Sequence, residues 1–154
     1  MLTPALRDGT VLDHAWIAAH IPHQGRMCLL DRVLTWDARR IVCSATSHNK
    51  ADNPLRQFGR LGAVCGIEYA AQAMAVHNAL AAAHDAPPRP GMLISVRAVQ
   101  LHIKQLDDIA AELAVHAECI SGDTRMLLYQ FCVRAEDRLL LDGRASVILR
   151  LSST

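Results

Sequence analysis

One carboxylate stands out in an otherwise uncharged segment of the chain. From Cys65 to Ala83 the sequence contains a single charged residue, Glu68. Burying a carboxylate is costly unless the group is paired, hydrogen-bonded or protonated. In a helix, Gln72 would share a face with Glu68, and its amide can hold the carboxylate in one rotamer. The pattern favours Glu68 as a catalytic acid or base with Gln72 in support; the alternative is a structural carboxylate at a helix start.

An acid–base catalyst needs a second proton-transfer group, and histidine is the residue type that titrates near neutral pH. The nearest histidine upstream of Glu68 is His48, in "SHNKADNP". We interpret it as a surface-loop residue, with a displaced catalytic acid or base as the alternative. We predict that His23, in "PHQG", is structural and bonds loop backbone. His77, His84, His102 and His116 show no spacing typical of a metal site, so no metal is expected.

The amino-acid composition limits the number of domains, the partners and the location that can be expected. The chain has 154 residues, half of them hydrophobic, and a formal net charge of +1. One domain over residues 1–154 is therefore expected, and neither nucleic acid nor a membrane is expected as the main partner. The five cysteines are odd in number and widely spaced, which is typical of reduced thiols. Together with a start that lacks signal-peptide features, this favours a cytoplasmic location.

The elements around Glu68 follow from hydrophobic periodicity. The opening "TVLDHAWIAAHI" predicts a short helix with Asp13 as its N-cap, and "MCLLDRVLTWDARRIVCSATS" predicts two strands. After the long apolar helix, period-two alternation broken by short polar turns predicts four antiparallel strands. A helix that is apolar on most sides needs cover on most sides. We therefore predict an α+β fold with a curved antiparallel sheet around one long helix, and dimerisation through a sheet edge or the remaining helix surface.

This element order resembles the hotdog fold, and three segments resemble the 3-hydroxyacyl-acyl-carrier-protein dehydratases of type II fatty acid synthesis. "IPHQGRMCLLDRV" (Ile21–Val33) is similar to their Leu-Pro-His segment and the apolar run ending in Asp-Arg-Val. "GIEYAAQAM" (Gly66–Met74) is similar to their helix motif, and "NPLRQFG" (Asn53–Gly59) to their approach to the active site. The resemblance is closer still to the dehydratase-like hotdog proteins of aryl polyene and related pigment pathways.

The resemblance implies a site in which histidine takes the α-proton of the thioester and the helix carboxylate assists the leaving hydroxyl. In those enzymes the histidine follows the glycine of the approach segment, whereas Arg60 follows Gly59 here. We therefore expect either His48 or a partner hotdog subunit to supply the imidazole for Glu68. The chain alone is then expected to be a weak or inactive dehydratase.

The same resemblance implies residues that bind the substrate. Phe58 and Leu61 are expected to line the entrance of an apolar tunnel. Arg60 is expected to bond a thioester oxygen or the phosphate of a phosphopantetheine arm. Gly62 and Gly66 would let the backbone approach a ligand closely.

Three functions remain open at this point. The first is a 3-hydroxyacyl-acyl-carrier-protein dehydratase, acting as a subunit in fatty acid or polyene-type biosynthesis. The second is a hotdog thioesterase, in which a helix glutamate can act without histidine. The third is a non-catalytic subunit that binds acyl carrier protein or stabilises an active paralogue. No cofactor is expected beyond the phosphopantetheine that carries the substrate, and the expected partners are acyl carrier protein and a second hotdog subunit, in a homodimer or a heterodimer.

Overall fold

The computed structural model describes residues 9–82 and 91–149 of the chain. Within these ranges the chain forms a short helix, two strands, a long helix and four more strands, in the order that the sequence predicts. The helices are α1 (His14–His20) and α2 (Gly66–Ala82), and the strands are β1 (Arg32–Trp36), β2 (Arg40–Ala45), β3 (Gly91–Leu101), β4 (Leu113–Gly122), β5 (Met126–Ala135) and β6 (Arg138–Leu149).

Aspartate side chains fix the ends of the first elements. Asp13 caps α1 as predicted, because its carboxylate accepts a 3.0 Å hydrogen bond from the backbone N–H of Trp16. Asp37 makes the turn between β1 and β2, where it accepts hydrogen bonds of 2.8 Å from the backbone N–H groups of Arg39 and Arg40. Both contacts are short-range ones that aspartate makes readily at caps and turns.

The strands form one antiparallel sheet in the order β1-β2-β4-β5-β6-β3. Its alternation follows the sequence: in β4, Leu113 and Val115 are fully buried, whereas His116 and Glu118 are only half-buried. The side chains that point to the inner face form the core with α2. β3 lies at an edge of the sheet, and most of its residues are exposed.

The long helix α2 is the element around which the core is built. It contacts β2, β4, β5 and β3, and Tyr69, Ala73 and Val76 on it are fully buried. The loop before β1 covers a further side, with Leu29 buried against the helix. Within the two described ranges no helix is both long and apolar enough to cross a membrane. These elements cover most of the apolar surface of α2.

Candidate active site

Glu68 lies in the first turn of α2, and an imidazole lies directly beside it. His23 Nε2 is 3.1 Å from Glu68 Oε1, and the two side chains retain 27% and 33% of their exposure. The expectation that His23 bonds loop backbone is wrong, because its partner is this carboxylate. Its other ring nitrogen, Nδ1, is buried without a hydrogen-bond partner among the described residues. An imidazole and a carboxylate in hydrogen-bond contact can exchange a proton.

Gln72 holds the carboxylate from the next turn of the helix. Its side-chain N–H group donates to Glu68 Oε1 at 3.2 Å and to the carbonyl of Met27 at 2.7 Å. Its side-chain oxygen accepts a 2.9 Å bond from the backbone N–H of Leu29. The i, i+4 contact is the one that the spacing predicts. The fully buried amide therefore also ties α2 to the loop that carries His23.

The loop that carries His23 is fixed at its start as well. The backbone N–H of Ile21 donates to the carbonyl of Ile17 and ends α1, and the Ile21 side chain is buried in the core. Gln24 donates from its side chain to the carbonyl of Ala18 at 2.9 Å. These contacts close the loop back on α1. The position of His23 is therefore set by packing and hydrogen bonds on both sides.

A second set of buried polar groups was not predicted from the sequence. The hydroxyl of Tyr69 bonds Ser47 Oγ at 2.7 Å, and the side-chain amide of Asn53 donates to the same hydroxyl at 3.1 Å. Ser47 in turn donates to the carbonyl of Leu29 at 2.8 Å. Because Gln72 binds the N–H of Leu29, both backbone groups of this residue are held by buried side chains.

The hydrogen bond from His23 holds the pKa of the Glu68 carboxyl below its usual range, and a bond from Gln72 adds to this effect against the opposing effect of burial. Glu68 is therefore ionised near neutral pH. A carboxylate with a neighbouring imidazole can hold one transferable proton between them.

A cavity of about 390 Å³ opens beside the pair. Ala71, Ala75 and Ala79 are spaced four residues apart on α2, and their small side chains leave room along the helix. Measured by the helical rise, the stretch from Glu68 to Ala79 spans roughly 16 Å. The walls include Ala71, Ala75 and Ala79 of α2, Gly91 and Leu93 of β3, Leu127 and Tyr129 of β5, Val147 of β6, and His23 and Glu68. The cavity is thus mostly apolar, with the ionisable pair at one end.

His48 is placed differently from the sequence-based interpretation. Its side chain is fully buried, so the prediction of a surface-loop residue is wrong. Its Nε2 atom contacts the carbonyl of Ile109 at 2.9 Å, and burial lowers the pKa of its imidazole. The described contacts do not link it to Glu68. A catalytic role for His48 therefore stays a prediction without structural support.

All five predicted substrate-binding residues, the two glycines included, lie outside the walls of this cavity. Arg60 donates to the carboxylates of Asp107 and Asp108, so its guanidinium is engaged within the chain. Leu61 is fully buried, whereas Phe58 is 94% exposed. Their roles in binding substrate stay predictions.

The two predicted glycines have different surroundings. A Cβ atom on Gly66 would lie 2.5 Å from Leu141 Cδ2, so close packing of the core requires the glycine here. A Cβ atom on Gly62 would meet only Val64 Cγ1, at 3.9 Å. The carbonyl of Gly62 accepts a 3.0 Å hydrogen bond from the N–H of Cys65, so its role in binding a ligand stays a prediction. The side of Gly66 that lacks a Cβ is filled by the core.

The residue that sequence reasoning missed is His23. The available signal was its position after Pro22, between the end of α1 and an apolar run, in a segment already matched to a known pattern. The contact with Glu68 joins a loop to a helix far along the chain. Hydrophobic periodicity along the sequence does not predict a contact between such distant residues.

The sequence is similar to a known protein family. A family model described as ApeP-like, ApeP dehydratase, matches residues 15–151. No curated protein matches the sequence. The match spans nearly the whole chain, including both His23 and Glu68.

Solved structures show the same fold. One is the dehydratase heterocomplex ApeI:P from Xenorhabdus doucetiae, with a TM-score of 0.77, 21% identity, and coverage of 88% of this chain and 91% of that one. A thioesterase from Haemophilus influenzae has a TM-score of 0.56 and 12% identity, covering 77% of each chain. A hypothetical thioesterase with coenzyme A from Streptococcus pneumoniae has a TM-score of 0.58 and 10% identity, covering 80% and 88%. The predicted hotdog fold is confirmed.

Proposed function

The chain belongs to the ApeP-like family of dehydratases, and from this premise we propose that His23 and Glu68 together remove water from 3-hydroxyacyl thioesters. The observation that carries the proposal is the 3.1 Å contact between His23 Nε2 and Glu68 Oε1 at one end of an apolar cavity. β-Elimination needs one base and one acid within reach of the same substrate, and this pair meets that need.

The proton balance of the reaction closes within the pair. Before the reaction, His23 and Glu68 share one transferable proton, in addition to the N–H that a neutral imidazole keeps. The partner without it takes the α-proton, the Cβ–O bond breaks, and the other partner protonates the leaving hydroxyl to give water. The family resemblance assigns the base role to the imidazole and the acid role to the carboxyl. Proton transfer along the hydrogen bond between His23 and Glu68 generates that form and resets the pair after each turnover.

This proposal replaces the expectation of a borrowed histidine. Glu68 has an imidazole partner in its own chain, so neither His48 nor another subunit has to supply one. The buried Gln72 amide supports it further, because it holds the carboxylate and the His23 loop in one arrangement. Preorganised groups of this kind need no rearrangement during the reaction.

We propose that the acyl chain lies along α2 in the cavity. Ala71, Ala75 and Ala79 form an apolar wall that the acyl chain can contact. With the chain in this position, the thioester would lie near Glu68. The substrate class includes intermediates of fatty acid or polyene-type biosynthesis, carried on the phosphopantetheine arm of an acyl carrier protein. The family resemblance supports that carrier, and no further cofactor is needed for this chemistry. The five cysteines are all free, which supports a cytoplasmic setting.

We also propose that a second hotdog subunit completes the site. Gly91 and Leu93 of the edge strand β3 line the cavity and are themselves exposed. An exposed, partly apolar edge strand is a ready surface for strand pairing. A subunit bound there would close this side of the cavity against water. The relative from Xenorhabdus doucetiae, a dehydratase heterocomplex, supports such an assembly.

The test is mass spectrometry of a 3-hydroxyacyl carrier protein incubated with the wild-type chain, alone and with a co-expressed hotdog paralogue. The variants are Glu68→Gln and His23→Gln, with His48→Gln as the matched control for loss of an imidazole elsewhere. Loss of water that falls by about 10²–10⁴-fold in the first two variants, and not in the control, is the expected result.

Other outcomes point to other functions. Release of free acid would make the chain a thioesterase. An unchanged substrate with the chain alone, and dehydration with the paralogue that survives Glu68→Gln and His23→Gln, would make it a non-catalytic subunit. Wild-type dehydration by a folded His23→Gln chain would remove His23 from the mechanism, and loss of activity in His48→Gln alone would restore His48 as the catalyst.

A further inference from the structure

The last residue of α1 presents a fixed imidazole at the rim of the cavity beside Glu68. His20 lines this cavity together with His23 and Glu68, and it is exposed. Its ring is stacked on Trp16, with ring centroids 3.9 Å apart and an interplanar angle of 11°. Its Nδ1 atom is 2.7 Å from the carbonyl oxygen of Trp16. The stacking and the hydrogen bond together hold the ring in one orientation.

The contact with Trp16 also decides what the other ring nitrogen of His20 can do. A backbone carbonyl only accepts hydrogen bonds, so Nδ1 is the donor in this contact. In a neutral imidazole the other nitrogen, Nε2, is then an acceptor. No hydrogen bond to Nε2 is seen among the residues that the structure describes. The rim of the cavity therefore carries a hydrogen-bond acceptor in a fixed position.

The rim of the cavity has two sides. The described wall residues that are exposed are Ala19, His20 and Pro22 on one side, and Gly91 and Leu93 on the other. The second hotdog subunit that we propose would cover the side formed by β3. A substrate must then enter across the side formed by the end of α1. Among the exposed wall residues just named, His20 alone has a polar side chain.

The arm that carries a thioester has donors that match this acceptor. A pantetheine arm contains amide groups, and an amide N–H that leaves water without a new partner weakens binding. The nearer amide nitrogen is about 5 Å from the thioester carbonyl carbon, at roughly 1.2 Å per bond of an extended chain. His20 precedes His23 by three residues, which span at most about 11 Å. An arm whose thioester lies beside His23 and Glu68 therefore passes within reach of His20.

We propose that His20 is a substrate-binding residue whose Nε2 atom accepts a hydrogen bond from an amide N–H of the pantetheine arm. The inference rests on the proposed function, because it takes this cavity as the site of a pantetheine-bound acyl group. It accounts for an exposed imidazole that Trp16 holds in one orientation. The contact lies away from the reacting atoms, so it stabilises the bound substrate and the transition state alike.

The test compares His20→Asn with His14→Asn. Asparagine keeps an N–H group near the position of Nδ1 but has no atom at the position of Nε2. His14 is a matched control: it is exposed, lies on α1 and contacts the carbonyl of Leu30 through Nδ1 at 2.8 Å, but it does not line the cavity. His20→Gln is the conservative variant, because a glutamine oxygen can replace Nε2 as the acceptor.

The first probe is a hydroxyalkyl pantetheine thioether, which cannot eliminate water because it lacks the thioester carbonyl. The second is its counterpart with methylene groups in place of the amide N–H groups. Calorimetry at about pH 8, where histidine side chains are ordinarily neutral, gives both dissociation constants. We expect the wild-type chain to prefer the amide probe by about three- to tenfold. His20→Asn should lose this preference, His20→Gln should retain part of it, and His14→Asn should keep it.

Turnover gives a second readout. On a 3-hydroxyacyl-pantetheine, His20→Asn should raise KM by the same factor and leave kcat unchanged, since uniform binding is lost. The inference is overturned if the wild-type chain shows no binding or no preference, or if the preference survives His20→Asn. Equal weakening of both probes, or loss of the preference in His14→Asn, overturns it as well. Binding is measured without turnover, so a chain that shows the preference but does not dehydrate would refute the dehydratase proposal and leave this inference intact.

Discussion

The backbone N–H of Leu29 donates a 2.9 Å hydrogen bond to the side-chain oxygen of Gln72. This bond joins the loop that carries His23 to the helix that carries Glu68. The same amide also donates to Glu68 and to the carbonyl of Met27. One buried side chain therefore sets the distance between the two groups proposed to transfer protons.

We expect Gln72→Met to weaken both stability and turnover. The variant keeps the volume of the side chain but leaves the Leu29 N–H and the Met27 carbonyl without their partner. Each unsatisfied group should lower the free energy of unfolding by about 1–3 kcal/mol. Urea unfolding measures that loss. Turnover should fall through kcat more than KM, because the pair loses its alignment. Gln130→Met, at an exposed position of β5, is the control and should change either quantity little.

We expect Ala75→Leu to shorten the usable cavity. The alanine lines the cavity on α2, so a larger side chain there would block a long acyl group and leave room for a short one. Activity on long-chain substrates should fall about tenfold or more relative to short-chain ones, since filling of an apolar pocket discriminates by about 10- to 200-fold per methylene. Ala81→Leu, on the exposed side of the same helix, is the control. Equal losses on all chain lengths would contradict acyl binding in this cavity.

The pH dependence of stability should reflect His48. Burial lowers the pKa of its imidazole in the folded state, below the ordinary value of 6.5. The unfolded chain therefore binds the proton more readily, and the stability that the neutral ring contributes is complete above pH 6.5 and lost as the pH falls toward the folded pKa. Replacement by glutamine, His48→Gln, should flatten this decline in urea titrations between pH 7 and 5. An equally steep decline in the variant would show that the pKa of His48 does not differ between the folded and unfolded states.

The two glycines before Glu68 should respond differently to alanine. Gly66→Ala forces a Cβ against the fully buried Leu141, and overpacking of this kind costs about 1–3 kcal/mol. That cost exceeds the helix propensity gained at a terminal position, which is below about 1 kcal/mol. Gly62→Ala has open space and an ordinary φ of −64°, so its unfolding free energy should match wild type. Equal unfolding midpoints for the two variants would contradict the packing account.

The sequence alone determined the features that depend on local order. Alternation in β4 reports which side chains face the core, because successive residues of a strand point to opposite faces. The Asp13 cap and the contact between Glu68 and Gln72 follow from short-range geometry in the same way. The element order, the α+β class and the resemblance to dehydratases all rest on signals of this kind.

Only the tertiary structure decided which imidazole meets Glu68. The helix periodicity fixes where the carboxylate points, but the position of His23 depends on how the loop after α1 packs on α2 through Gln72. His48 was the more attractive candidate along the chain, yet its loop folds inward and buries the ring against Ile109. Contacts between distant segments are set by the packing of the whole core. Residue patterns along the sequence therefore do not predict which loop will contact which face of a helix.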